Sequence, residues 1–497
     1  MLNQAPAWEF TGSVFAVEDG NSYIAKMRLG ASGDWLFRTP YSALPQRGVL
    51  AFLPYLLLGK LAGAKPAHLT LVLLYHGLRL AALPLAVLAT YRFLARWLDS
   101  ETWRRWATVL ATLGGGLGWA LLLLRSPNEA ALVPPEFYSP EAFGFLAFFG
   151  IPHLLLARAA LLLGLSAYLD AAGRQTWGWR AGFAWLSLVL IQPLAVASAA
   201  AALGAHALAL IGRFPASEWR SGLSRWLKAG APSLLLPAPV VLYLAAAYVR
   251  DPMLQAWARQ NVLPSPPLWH YLLAYLPLLP LAGLGAWRVL RQSEGLLLAT
   301  WPLALIALAY TPVAVQRRLL EGIWVALLAL AALGLERLSG PQRASRWTRA
   351  ALAAVMLPST LLLLLGGWQI ALHPAEPAFR PSAETAAFGW LADHASRGSV
   401  VLTSFATGNA LPAWAPARVV IGHGPETADL EGLRPMVDAF FAAGTPDAAR
   451  LMLLEDQQVD FVLFGSGGQA PGAWDPSGSA FLEPVYAGSG YALYAVR

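Results

Sequence analysis

Residues 17–37 read VEDGNSYIAKMRLGASGDWLF, and they crowd Glu18, Asp19, Asn21, Tyr23, Lys26 and Arg28 into one short stretch. Adjacent carboxylates such as Glu18 and Asp19 suit a general base, a metal ligand, or both. The same residues also suit a helix start, with Asp19 or Asn21 capping a helix that begins near Ser22. The two readings are compatible, because a cap holds a carboxylate in place.

A second set of polar residues lies inside apolar runs. His76 and Arg79 fall within 67–91, and His153 and Arg158 within 143–168. Ionisable groups at membrane depth are costly and mark a cavity or a partner; an arginine there also snorkels or pairs with a carbonyl. His206 and Gln192 are weaker candidates of the same kind. A third set is Gln316-Arg317-Arg318 followed by Glu321, where arginine forks match phosphate oxygens. The loop Ser126–Glu141 carries Glu129, Glu136 and Glu141 in solvated or capping roles. Near the C-terminus, Gly422–Asp429 (GHGPETAD) packs His423, Glu426 and Asp429 into one turn after a strand. That turn is either a ligand loop or a plain strand-to-helix connection with Asp429 as cap. The run Gly465–Gly472 (GSGGQAPG) lacks the spacing of a nucleotide-binding loop.

The elements that must position these residues are mostly helices in a membrane. The chain has 497 residues, of which 57% are hydrophobic and 13% charged. Soluble proteins carry about 25% charged residues, so a soluble cytoplasmic enzyme is excluded. Mean hydropathy is +0.51. There is no cysteine, which excludes disulfides, zinc–thiolate sites, iron–sulfur clusters and thiol nucleophiles. Apolar runs near 67–91, 106–124, 143–168, 230–249, 269–287, 295–312, 319–335 and 350–371 are long enough to span. The stretch 181–211, broken at Gln192-Pro193, adds two short segments, so about ten crossings are expected.

The net charge of +7 divides along the same lines. Arg92, Arg96, Arg104, Arg105, Arg174, Arg180, Arg213, Arg220, Arg225, Lys228, Arg288, Arg291, Arg337, Arg343, Arg346 and Arg349 lie in short loops, and the positive-inside rule makes these cytoplasmic. The basic balance therefore reports topology and no nucleic-acid partner. The alternation places 126–142, 250–268, the turn at 313–318 and residues 373–497 outside. Arg317 and Arg318 then sit on the wrong side for the rule, as an anion site would explain.

Three regions are expected: a first extracytoplasmic loop with a juxtamembrane helix (1–66), a transmembrane bundle (67–372) and an extracytoplasmic α/β domain (373–497). In the last, Ser399–Thr403, Arg418–Gly422 and Val459–Gly465 read as buried strands. Ala383–Ala395, Asp429–Ala443 and Pro446–Gln457 read as helices, and Phe481–Ala487 with Tyr491–Val496 as a hairpin. The alternation argues for a small α/β domain. The N-terminus has no apolar signal region. Residues 49–63 either span or lie in the outer interface.

At these residues the sequence resembles the GT-C glycosyltransferase superfamily, which includes protein O-mannosyltransferases and aminoarabinose transferases. More closely, it is similar to a group of uncharacterised prokaryotic GT-C-like membrane proteins. The likeness runs through EDGNSYIAKM (18–27), GDWLFRTPY (33–41), LLLGKLA (56–62), IPHLLLAR (151–158), RRLLEG (317–322), TGNALPAW (407–414) and GHGPET (422–427). It implies a plasma-membrane (inner-membrane) enzyme that takes a sugar from a polyprenyl-phosphate carrier at the outer face. An acidic residue deprotonates an acceptor hydroxyl on a glycan, lipid or protein, and the sugar inverts. Asp19 is the favoured base, with Glu18 beside it. Arg317 and Arg318 would neutralise the lipid phosphate. Asn21, Tyr23, Arg28, His76, Arg79, His153, Arg158, Glu321, His423 and Glu426 complete the expected substrate site. Some members use a divalent metal; for Mg2+ or Mn2+ the ligands would be Glu18, Asp19 and Glu136. The superfamily places a transmembrane helix before the acidic loop, and here that helix is expected to be missing. The competing functions are a transporter or flippase of lipid-linked glycans, using His76, Arg79, His153 and Arg158, and a non-catalytic membrane scaffold.

Overall fold

The computed structural model describes residues 7–124, 133–213, 219–338, 342–465 and 474–497. The chain divides into two compact units. One holds Met1–His76, Leu244–Asn261 and Gly367–Arg497; the other holds Gly77–Tyr243 and Val262–Gly366.

The first unit is built on a five-stranded sheet of order β4-β3-β5-β7-β6. Its strands are β3 (Val400–Leu402), β4 (Arg418–Val419), β5 (Phe461–Gly465), β6 (Leu482–Gly488) and β7 (Tyr491–Val496). The first three run parallel, and β7 is antiparallel to both β5 and β6. Successive strand residues face opposite sides, and both sides are buried here. Val401, Leu463 and Leu493 join Phe388, Leu391 and Leu411 of the helices Ser382–His394 and Phe405–Trp414. Val400, Leu402 and Val462 join Val437, Phe440 and Leu453 of the helices Leu430–Phe440 and Asp447–Asp456. Double coverage is why these strands read as unbroken apolar runs. The expected strands, helices and terminal hairpin are present, with ends shifted by a few residues.

N-terminal residues complete this unit. Strand β1 (Trp8–Phe10) pairs antiparallel with β2 (Phe379–Pro381). Helix α1 (Val17–Ala31) places Ala25 in the same core as Val401 and Leu411. Helix α2 (Leu53–Ala62) covers the run in which a juxtamembrane helix is expected. It crosses α1 at backbone contact: a Cβ on Gly59 would overlap the Met27 carbonyl oxygen, and one on Gly30 the Leu56 carbonyl.

The second unit is helical among the described residues. Its most buried element is Ile323–Leu338, in which every residue from Ile323 to Leu335 is buried. Leucines point outward elsewhere, as at Leu208, Leu242 and Leu303. Such surfaces suit lipid rather than water. Among the described residues, four helices are long and apolar enough to cross a membrane: His68–Leu94, Pro152–Gly173, Ala195–Arg213 and Gln316–Leu338. Three bent pairs raise the number to as many as seven. The expected count of about ten is not reached by these helices, which leave out the shorter apolar helices Trp179–Ile191 and Ser293–Ala309. Expected run 106–124 is interrupted at Gly114-Gly115-Gly116, between Glu101–Leu113 and Ala120–Leu124. Run 269–287 bends by 82° between Leu268–Tyr275 and Leu279–Val289, next to Pro277 and Pro280. Run 181–211 is two helices, Trp179–Ile191 and Ala195–Arg213, separated at Gln192-Pro193 as expected.

Candidate functional site

Helix α1 sets the first half of the site. It begins at Val17, after Ala16 in a left-handed conformation, with no side-chain cap. The expectation of a cap at Asp19 or Asn21 is therefore corrected. Glu18 and Asp19 lie in the first turn, where the helix dipole favours negative charge. Their side chains remain 46% and 43% exposed. Asn21 turns inward instead and donates to Asn409 Oδ1 at 2.8 Å. Asn409 in turn donates to the Glu18 carbonyl at 3.4 Å.

The second half is the loop after β4. His423 is buried, with Nε2 3.5 Å from Asp19 Oδ1 and Nδ1 3.9 Å from Glu18 Oε1. Those spacings suit ion pairs and are long for hydrogen bonds. The Gly424 amide donates to Glu18 Oε1 at 2.6 Å. The Glu426 amide approaches His423 Nδ1 at 3.4 Å, which in the neutral ring assigns the proton to Nε2, the nitrogen facing Asp19. The loop is tied down from several sides. Thr427 Oγ1 accepts from the Gly422 and His423 amides, each at 3.1 Å. Gln260 donates to the Pro425 carbonyl at 2.9 Å. Gly422 lies against Gly408 so closely that a Cβ on either would overlap backbone of the other segment. This contact joins TGNALPAW to GHGPET. Asp429 precedes the next helix but makes no capping bond, so that alternative is also corrected.

Beneath His423 sits a closed ionic network. Lys26 Nζ and Ser22 Oγ both donate to Glu426 Oε1 at 2.6 Å, and Thr39 Oγ1 donates to Oε2 at 3.0 Å. Lys26 also contacts Ser22 and lies 4.3 Å from the Phe52 ring centroid. Burial opposes charge on Glu426, but Lys26 and His423 outweigh it and lower its pKa. Burial likewise opposes charge on His423, while Glu426, Asp19 and Glu18 raise its pKa above the usual histidine value. Burial and the same carboxylates push the Tyr41 hydroxyl up, so it donates, to the Asn409 carbonyl at 3.0 Å.

The remaining sequence candidates are distributed between the units. In the first, Tyr23 stacks on Tyr55, with centroids 4.7 Å apart. His76 Nε2 lies 2.9 Å from the Gly12 carbonyl. Arg28 is buried and bonds the Ala413 and Pro66 carbonyls. In the second, Arg158 pairs with Glu321 at 2.7 Å, both fully buried, and also bonds the Pro140 and Phe143 carbonyls. Arg79 bonds the Phe149 carbonyl, and His153 is buried. Arg317 donates to the Tyr138 carbonyl at 2.6 Å and lies over that ring. Arg318, next to it, is partly buried. Glu136 accepts from the Trp119 amide at 2.9 Å and Ser359 at 3.1 Å; its burial raises its pKa. Glu141 is buried. Glu129 and most of GSGGQAPG lie outside the described residues.

Among the described residues, no three His, Asp or Glu side chains are arranged to hold a metal ion. Glu18 and Asp19 belong to one unit and Glu136 to the other. Two carboxylates beside a histidine that favours its own proton fall short of the oxygen-rich shell of Mg2+ or Mn2+. Sequence reading missed Ser22, Thr39, Tyr41, Gln260 and Asn409 and gave Lys26 no site role. One signal was present: Asp19, Ser22 and Lys26 follow i, i+3, i+7 spacing, which puts them on one helix face.

No protein-family model matches the chain, and no curated protein matches it in sequence. Solved structures match its fold. The Archaeoglobus fulgidus oligosaccharyltransferase, tethered to an acceptor peptide containing the NVT sequon, aligns with a TM-score of 0.55 at 13% identity. The alignment covers 94% of this chain and 67% of that one. The chain has the GT-C fold. The same archaeal enzyme, AglB, in complex with an inhibitory peptide and a dolichol-phosphate, gives 0.54 at 13% identity, covering 93% and 67%. ArnT from Cupriavidus metallidurans bound to undecaprenyl phosphate gives 0.47 at 16% identity, covering 96% and 93%.

Proposed function

We propose that this chain is a membrane glycosyltransferase that moves a sugar from a polyprenyl-phosphate carrier to an acceptor hydroxyl, with inversion, at the outer membrane face. Asp19 accepts the hydroxyl proton as the oxygen attacks the anomeric carbon. The bond from that carbon to the carrier phosphate breaks on the opposite side, and the carrier phosphate leaves. The acceptor is a glycan, lipid or protein hydroxyl.

The observation that carries this reading is the setting of Asp19. It is a half-exposed carboxylate on a helix first turn, facing the buried His423 at 3.5 Å. Glu18 is engaged by the Gly424 amide at 2.6 Å, so Asp19 is the better placed of the two to meet a substrate. His423 orients Asp19, and in its protonated form it favours the anionic base. The fold shared with AglB, a structure of which contains a dolichol-phosphate, supports the donor class. Transport is supported less, because Arg158 is locked to Glu321, while Arg79 and His76 are held by carbonyls.

The test is sugar transfer from polyprenyl-phosphate donors by wild type and Asp19→Asn. Loss of a positioned general base costs roughly 10²–10⁴-fold in rate. Equal transfer by the two proteins would overturn the assignment of Asp19.

A further inference from the structure

Helix α1 carries one further charge, Arg28, on its other face. Arg28 follows Asp19 by nine residues, about 14 Å along the axis and about half a turn around it. Its guanidinium is buried, yet its hydrogen bonds go to the Ala413 and Pro66 carbonyls, and no carboxylate of the described residues pairs with it. A buried cation without a counter-charge is expensive. Burial accordingly lowers the Arg28 pKa to about 10. Arg418, half-buried, is lowered for the same reason despite Asp460.

Both arginines line one cavity of about 360 Å³, together with Arg38 and Arg397. The one acidic residue lining it is Asp34. That carboxylate bridges Arg38, at 3.3 Å, and Arg397. Four arginines and one aspartate therefore line a recess whose size suits a small ligand. A larger cavity, about 990 Å³, shares Arg28, Ser32 and Arg397; it adds the apolar Phe10, Val72 and Trp414 together with Glu9, Lys65 and Asp393.

We propose that the Arg28–Arg38–Arg397–Arg418 recess is a binding site for a phosphate group, separate from the Asp19 site. The phosphate belongs either to an anionic lipid headgroup or to a soluble phosphate. Arg38 and Arg397 supply the forks at the rim, their side chains being 45% and 55% exposed. Arg28, which has no carboxylate partner among the described residues, and Arg418, partly offset by Asp460, add positive charge from within. Asp34 competes with the ligand for the two rim arginines.

The test uses the full-length protein in neutral detergent and follows its unfolding temperature. Inorganic phosphate and pyrophosphate are titrated against chloride at equal ionic strength. In a parallel arm, micelles containing phosphatidylglycerol are compared with micelles containing phosphatidylcholine. A saturable rise beyond the chloride control is expected in at least one arm. Inorganic phosphate acting alone identifies a soluble ligand; phosphatidylglycerol acting alone identifies a headgroup. Arg38→Gln and Arg397→Gln should each weaken the midpoint roughly fivefold, as loss of an exposed charged contact does. Arg397→Lys should restore part of that loss, and Asp34→Asn should tighten binding. No saturable rise in either arm overturns the proposal. A rise that is unchanged in both glutamine variants places the anion elsewhere and also overturns it.

Discussion

Replacing Lys26 with methionine isolates the network on which the Asp19 site rests. The Lys26 and Glu426 side chains are 1% and 4% exposed and meet at 2.6 Å. Removing one member of a buried pair leaves the other charge uncompensated, at a cost of about 3–5 kcal/mol. Glu426 would keep the hydroxyl donors Ser22 and Thr39, at 2.6 and 3.0 Å. Each hydrogen bond to a charged group offsets part of the loss, so the lower end applies, about 3 kcal/mol. A domain of 150–250 residues loses roughly 2–4 °C per kcal/mol, which gives a fall of about 6–12 °C. The assay is thermal unfolding of the full-length protein by tryptophan fluorescence, with amide exchange across α1 and residues 422–429 to localise the change. The double variant Lys26→Met/Glu426→Gln should recover most of the loss, because no charge is then stranded. A Lys26→Met loss within about 0.5 kcal/mol, the usual range for a surface change, would show that the pair does not hold the site together. So would a double variant that simply adds the two single losses.

The same network sets a pH dependence. The folded pKa of Glu426 lies below its ordinary value of 4.5, so its contribution is complete above that value and is lost as pH falls through the lower folded pKa. The folded pKa of His423 lies above 6.5, so its contribution is complete below pH 6.5 and is lost as pH rises through the higher folded pKa. Unfolding temperature measured against pH should therefore be highest between these limits, and His423→Gln should remove the alkaline decline. Gly59→Val should separate α1 from α2, because the new side chain meets the Met27 carbonyl; faster amide exchange in both helices checks this. Glu321→Leu should cost about 3 kcal/mol by stranding Arg158, and Arg158→Met/Glu321→Leu should restore the detergent unfolding temperature.

Much of the fold was legible because the signals are local. Apolar runs marked the membrane-crossing candidates, and strand–helix alternation marked the terminal domain. Span number was less legible, because composition counts apolar residues while Gly114–Gly116 and Pro277 mark where helices break. The site was half legible. Glu18 and Asp19 stood out as adjacent carboxylates, and His423 and Glu426 as a polar turn after a strand.

The local elements follow from the order of residues: the helix that carries Asp19, the loop that carries His423, and the apolar runs between them. That these two pieces meet is a property of the folded chain. Lys26 and Glu426 are 400 positions apart, Asn21 and Asn409 are 388 apart, and β1 pairs with β2 across the length of the chain. No local propensity encodes such contacts. They form because Ala25 and Tyr41 complete the apolar core of the terminal domain, and that burial brings the charges on α1 opposite the turn that neutralises them.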